Sequence, residues 1–246
     1  MQSGPSLFKS NPRHQSLDQL QIPPLFVMLS GKPCTGKSTW RNQLLNHFDV
    51  LKFQAQVKII SSDDLAFKFM DELNNESKSE DAKKLTYHDM CNPPYNEKVE
   101  AKIKEEILAA NQFWRGIVVL DRTFLTPQRR QEVLNLIDKN NPVTVVTFDI
   151  HDNKIWHQNL KDRNERNQDT GYIITESIVA NLSVGATAPK LEEGFKKIIH
   201  CPSIGEEGWQ KAFALTQIEV KKQQQLHRYH TIVNVGSVHP SPAHSL

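Results

Sequence analysis

Apolar residues gather along this chain in short unbroken runs, separated by longer stretches in which they recur every third or fourth position. The runs are LFVML at 25–29, VKIIS at 57–61, GIVVLD at 116–121 and VTVVTFDI at 143–150. Each has the length and content of a buried β-strand. The intervening stretches predict helices near 37–48, 63–74, 96–112, 127–139, 152–164 and 175–184. In the first of these, Trp40, Leu44, Leu45 and Phe48 fall at helical spacing. Strands alternating with amphipathic helices argue for a parallel sheet with helices on both faces. Residues 195–235 are less regular. GWQKAFALTQIEVKKQQQ (208–225) reads as a helix, and YHTIVNV (229–235) as a last strand. The first 22 residues, rich in Ser, Pro, Gln and Asn, lack any apolar period. So does the tail 236–246, and both are expected to be disordered.

Between the first strand and the first helix lies SGKPCTGKSTW, residues 30–40. Gly31 is followed by four residues and then by Gly36, Lys37 and Ser38. Strand, glycine loop, helix is the setting that a phosphate-binding loop requires. The glycines let the backbone curl so that its N–H groups face inward, and the helix N-terminus adds unpaired N–H groups and a partial positive charge. Lys37 is expected to reach the β- and γ-phosphates and Ser38 to ligate magnesium. The cradle for ATP or GTP is therefore Gly31, Lys32, Pro33, Cys34, Thr35, Gly36, Lys37, Ser38 and Thr39. Cys34 occupies a free position of the motif, with no His or second Cys beside it, and reads as packing rather than chemistry.

Two strand ends carry acids. After VKIIS come Asp63 and Asp64, on the edge where ligands bind in an open parallel sheet. One is expected to cap the following helix and the other to act chemically, taking a proton from an attacking hydroxyl or holding magnesium through water. GIVVLD ends in Asp121, the expected carboxylate for hydrated magnesium. Thr126 then caps a helix opened by Pro127, with Arg129 and Arg130 in its first turns read as solvated charges. Further on, NLKDRNERNQDTGYIITESI carries Lys161, Arg163 and Arg166. Arg163 and Arg166 share a helix face. Spacing alone leaves two readings open: a lid that brings guanidinium groups to a transferring phosphoryl group, or an exposed helix whose arginines pair with Asp162 and Glu165.

Composition narrows the setting more than the chemistry. The 246 residues are 38% hydrophobic, enough to fill a core, and 30 basic against 28 acidic residues leave a net charge of +2. That balance neither demands nor excludes nucleic acid, because a basic groove can hide in a neutral total. Three scattered cysteines without metal-type spacing suggest a reducing compartment. No apolar run approaches a membrane span, and the first residues lack the apolar core of a signal peptide. A cytoplasmic protein without a membrane partner is expected.

The motifs LSGKPCTGKSTW, SSDD, GIVVLDRTFLTPQRR and FDI…LKDRNERN, in this order and spacing, resemble the phage-type polynucleotide 5′-hydroxyl kinases and related phosphate-loop kinases. The likeness covers about residues 25–190. It implies a three-layer α/β phosphate-loop NTPase fold of kinase type, with a central parallel sheet and a helical lid at about 160–190, in one domain over 23–235. It implies Asp63 as the general base, Lys37 and Ser38 as the loop pair, Asp121 as the strand-end carboxylate, and Arg163 with either Arg166 or a position beside it as the lid pair. The implied reaction is transfer of the γ-phosphoryl group to the 5′-hydroxyl of a polynucleotide. There are departures. The family's arginine three residues after the base is here Ala66, with Lys68 nearby. The segment after the lid, IITESIV, keeps the family pattern loosely. No D-x-D-x-T motif occurs, so no phosphatase domain is expected.

Rival readings remain. A zeta-toxin-like kinase of a nucleotide sugar, or a kinase of another small metabolite or a tRNA end, would use the same loop, base and lid. A polynucleotide acceptor needs a channel of basic side chains, for which Lys68, Lys83, Lys84, Arg129 and Arg130 are candidates. Tyr87, His88 and Tyr95 are candidates for an acceptor pocket. A non-catalytic nucleotide switch would keep the loop but have no need of Asp63, Asp121, Arg163 and Arg166 together.

Overall fold

Four of the five predicted strands form, and an unpredicted one joins them. A computed structural model of the chain describes residues 23–50, 57–76, 84–112, 116–149, 153–168, 171–202 and 208–235, with side chains to 46 in the first stretch and to 222 in the last. The two expected disordered ends lie outside these residues. The strands are β1 (Leu25–Gly31), β2 (Val57–Ser61), β3 (Ile117–Asp121), β4 (Val143–Asp149) and β5 (Lys197–Pro202). They make one sheet in the order β2-β3-β1-β4-β5, and every pairing is parallel. All carboxyl ends therefore lie on one edge. Register puts Leu29 and Ser61 each opposite Asp121, so β2 and β3 end level and β1 runs two residues further, to Gly31.

Alternation along β1 divides the core. Phe26 and Met28 face one side, where Ile60, Val118, Leu120 and Val145 meet Val99, Ile103, Ile107 and Ala110 of α4 (Tyr95–Ala110) and Ala66 of α2 (Ser62–Glu76). Leu25, Val27 and Leu29 face the other. There they pack with Val119, Val146 and Phe148 against Trp40 and Leu44 of α1 (Lys37–Val50) and Trp209, Ala212 and Val220 of α8 (Trp209–Val235). Helix, sheet, helix is the three-layer α/β arrangement expected. The short α3 (Tyr87–Met90) precedes α4. Helix α5 (Pro127–Leu134) follows β3, and α6 (Asn153–Arg166) and α7 (Glu176–Leu182) follow β4.

Local caps behave as their chemistry dictates. Thr126 Oγ1 accepts from Arg129 N at 3.3 Å, with Pro127 opening α5, and Thr175 Oγ1 accepts from Ile178 N at 3.3 Å. At α2 the expectation fails. The cap is Ser61, whose Oγ accepts from Asp64 N at 3.2 Å, and neither aspartate side chain is spent on capping. Helix α5 ends at Leu134, not at 139. Residues 229–235 continue α8 rather than forming a strand; their β-branched content suggested otherwise, but Trp209, Ala212, Thr216 and Val220 are buried at helical spacing and the backbone runs on in that geometry. The true last strand, KIIHCP, sits at the sheet edge with only Ile199 and Cys201 buried, a pattern too interrupted to read as apolar.

Arg130 also departs from its reading as a solvated charge. It is 0% exposed. Its Nε and Nη2 donate to Glu193 at 2.7 and 2.9 Å, and its Nη1 donates to the carbonyls of Phe124, Leu125 and Thr187 at 3.0–3.1 Å. One guanidinium thus ties the segment after β3 to residues 187–193, satisfying groups that would otherwise be buried unpaired. Arg130→Ala is expected to lower unfolding free energy by about 3 kcal/mol, read as a shift in the denaturant midpoint. A shift within experimental error would contradict this role.

Candidate active site

The loop after β1 is shaped by a close approach. A Cβ on Gly31 would lie 2.7 Å from the Phe148 carbonyl oxygen and 2.9 Å from Phe148 Cβ, so only glycine lets β1 meet β4 at this level. Gly36 has φ 93°, which glycine adopts without strain, and Cys34 has φ 63° at the loop's tip. Thr35 Oγ1 donates to Lys32 O at 2.9 Å, and the Lys37 ammonium donates to Gly31 O at 2.8 Å and Lys32 O at 2.7 Å. The loop is thereby closed around its own lysine. Burial pulls the Lys37 pKa down to about 8, against the opposing pull of Asp121 and Asp63.

Ser38 and Asp121 meet at the mouth of this loop, Ser38 Oγ donating to Asp121 Oδ2 at 3.1 Å. Asp121 is 7% exposed, and burial raises its pKa despite the nearby Lys37 and Arg41. Two hard oxygen donors side by side, with phosphate oxygens and water to complete the shell, suit magnesium. Arg41 lies here too. Its Nη1 stands 3.0 Å from Asp121 Oδ2 and 2.9 Å from Asp64 Oδ2, linking both acids. Arg41 went unread in the sequence, although it follows Ser38 by one helical turn and so shares its face.

Asp63 sits at the start of α2 with three partners. Tyr87 Oη donates to Oδ1 at 2.8 Å, Tyr172 Oη makes a short hydrogen bond to Oδ2, and Arg163 Nη2 stands 3.7 Å from Oδ2. Phe67, Tyr87 and Tyr172 pack as an aromatic cluster, and the Arg163 guanidinium lies 4.4 Å above the Tyr172 ring. Burial first, and the Asp63 charge second, raise both phenol pKa values far above the ordinary range, so both remain donors.

Helix α6 is docked on the loop. Trp156 Nε1 donates to Pro33 O at 2.9 Å, Asn159 Nδ2 to Cys34 O at 3.5 Å, and Arg163 Nη1 to Cys34 Sγ at 3.9 Å. The structure therefore brings together Lys37, Ser38, Asp63, Asp121 and Arg163. It does not bring Arg166 to them; that side chain is exposed, and its Nε donates to Asp162 O on its own helix. Thr39 is exposed beside Ser38. Tyr172, Trp156 and Asn159 were missed, since a tyrosine in a polar loop and two ordinary helix residues carry no spacing signal. Among the groove candidates, Lys68 pairs with Glu72 and Arg129 with Glu132, Lys84 is exposed, and Lys83 lies outside the described residues. Ala66 is buried in the core, His88 is exposed, and Tyr95 packs against the core.

The fold and this edge define a kinase-like phosphate-loop domain. The chain belongs to the AAA domain family, whose model matches residues 26–182. No curated protein matches it in sequence. Among solved structures, Chaetomium thermophilum Kti12 in complex with ADP-AlF3 is 15% identical over 79% of this chain and 98% of that one, with a TM-score of 0.52. APE1195 is 12% identical over 82% and 97%, with a TM-score of 0.51. A chain of the Pnkp1/Rnl/Hen1 complex is 16% identical over 54% of this chain, with a TM-score of 0.37; this protein spans only 38% of its length. These likenesses concern the fold. Among the described residues no helix is long and apolar enough to cross a membrane.

A bound triphosphate would restore the charge that burial takes from Lys37. Nucleotide affinity is therefore expected to hold up to about pH 8 and to fall above it, as free Lys37 loses its proton. Fluorescence titrations across that range check this, and an affinity unchanged through about pH 9.5 would contradict it.

Proposed function

We propose that this protein is a kinase that passes the γ-phosphoryl group of ATP or GTP to an alcohol hydroxyl activated by Asp63. The observation that carries the reading is the convergence of Lys37, Asp63 and Arg163. One guanidinium bridges the base and the tip of the phosphate loop, at 3.7 Å from Asp63 Oδ2 and 3.9 Å from Cys34 Sγ. Lys37 and the loop N–H groups hold the β- and γ-phosphates. Ser38 and Asp121 would hold magnesium, which would supply neutralisation of phosphate charge. Asp63 orients the acceptor hydroxyl and receives its proton, while Arg163 stabilises charge spread over the equatorial oxygens of the group in flight. Helix α6 is seated on Pro33 and Cys34 at the loop's tip, where it brings Arg163 to the site. Arg166 adds to the field of the lid without reaching this centre.

For the acceptor, the order and spacing of the motifs favour the 5′-hydroxyl of a polynucleotide. A second reading, a compact alcohol such as a nucleotide sugar or another metabolite, is favoured by what became of the expected strand grips. Ala66 is core, Arg130 is a buried tie, and Lys68 and Arg129 pair with glutamates of their own helices. A cytoplasmic setting would supply the nucleoside triphosphate that the reaction needs.

The test is an acceptor panel with magnesium and γ-labelled ATP: 5′-hydroxyl DNA and RNA oligonucleotides, a nucleotide sugar, and no acceptor. Label on the oligonucleotide supports the first reading, and label on the sugar alone supports the second. No transfer to any alcohol would overturn the kinase proposal. Arg163→Ala should cost on the order of 100-fold in rate, with a smaller loss of nucleotide affinity. Equal losses in both would argue against a transition-state role.

A further inference from the structure

Asp63 is not waiting for an acceptor with its loop-facing oxygen bare. Oδ2 is the oxygen approached by Arg163, whose guanidinium also reaches Cys34 at the tip of the phosphate loop. It is therefore the oxygen on the phosphate side. That oxygen already receives a hydroxyl hydrogen, from Tyr172. Oδ1 receives one from Tyr87 on the other side. A phenol donating to Oδ2 makes the contact that an alcohol acceptor makes before transfer. We infer that Tyr172 is a built-in competitor of the acceptor, holding the place on Asp63 that the acceptor hydroxyl takes. This inference rests on the kinase reading of the same site.

The way Tyr172 is mounted gives the competition a purpose. It lies between α6 and α7, directly after Gly171, whose φ of 67° suits glycine. Asn164 of α6 grips this connection with both amide atoms, donating to Ile174 O at 2.7 Å and accepting from Ile174 N at 3.0 Å. The Tyr172 ring lies under the Arg163 guanidinium, and Tyr172, Leu160, Ile174 and Val179 form one small apolar cluster. Tyr172 is therefore held to α6 on one side, as Arg163 is, and packs on Phe67 of α2 and on Tyr87 on the other. When α6 lies on the loop without an acceptor, the phenol and the arginine arrive together.

Asp63 remains 41% exposed at its side chain, so water is at hand. In the wasteful reaction a water oxygen bonds to the γ-phosphorus, the bond to the β,γ-bridging oxygen breaks, the diphosphate leaves and the water proton passes to Asp63. A bound alcohol has its own contacts to help it displace the phenol, whereas a single water has none. Tyr172 thus disfavours water more than it disfavours the acceptor. Its pKa, raised by burial, keeps it a donor and a poor nucleophile.

Tyr172→Phe removes the hydroxyl and keeps the ring. Measured with γ-labelled ATP, the variant should release phosphate without acceptor about tenfold faster, the order expected when a hydrogen bond to a charged group is given up. The acceptor KM should fall while kcat changes little, because a competitor has been removed. The added hydrolysis should disappear in the Tyr172→Phe, Asp63→Asn double variant, which shows that it runs through Asp63. It should not appear in Tyr87→Phe, whose hydroxyl holds the other oxygen, which separates the effect from loosened packing. Thermal unfolding of each variant checks that the fold is kept. Unchanged hydrolysis and KM, in a folded variant that still transfers phosphate, would overturn the inference and leave the kinase reading standing. Phosphotyrosine at position 172 of the parent protein would also overturn it, since the phenol would then be a substrate. No turnover of ATP in any variant would overturn both.

Discussion

The ammonium of Lys37 is held in the throat of the β1–α1 loop, between the carbonyls of Gly31 and Lys32. A buried cation is costly, and here burial is enough to bring its pKa to about 8. The fold accommodates it by aiming backbone oxygen at it and by placing Asp121 and Asp63 within its field. That arrangement requires the loop to begin where β1 and β4 touch, which is why Gly31 cannot carry a side chain. It also requires β2 and β3 to end beside the start of the loop, which the parallel register provides. The positions of Ser38, Asp121, Asp63 and Arg163 all follow from the loop that encloses this lysine.

The site has two walls with different origins. One is fixed to the sheet: the loop, Asp121 at the end of β3, and Asp63 in the first turn of α2. The other is carried by α6 and the segment after it, and consists of Trp156, Asn159, Arg163 and Tyr172. The second wall meets the first through a few polar contacts, one arginine, the Tyr172 hydroxyl on Asp63, and the packing of the Tyr172 ring on Phe67 and Tyr87. Such a joint suits an element that must part and re-form as ligands pass.

The first wall could be read from the chain because each part has a local signature. An apolar run ending in a glycine loop or an aspartate marks a strand end, and Thr126 with Pro127 marks a helix start. The second wall could be read only as far as Arg163. Tyr172 reaches Asp63 from 109 residues away in sequence, and nothing in GYIIT points to a partner at that distance. Arg130 looked solvated because its partner, Glu193, comes from a short 3-10 turn 63 residues further along the chain. The edge strand β5 escaped because only Ile199 and Cys201 of its six residues are buried, which breaks the apolar run. Ser61 displaced the aspartates as the cap of α2 because a strand-end serine reaches the same N–H. That frees Asp63 for its hydroxyl partners and Asp64 for Arg41.

The central claim is that Asp63 serves the chemical step while the loop alone holds the nucleotide. The direct measurement compares Asp63→Asn with the parent protein, in nucleotide affinity and in single-turnover phosphoryl transfer. The account predicts affinity within about twofold of the parent and transfer lost. Transfer that survives the change, or affinity that falls with it, would contradict the assignment.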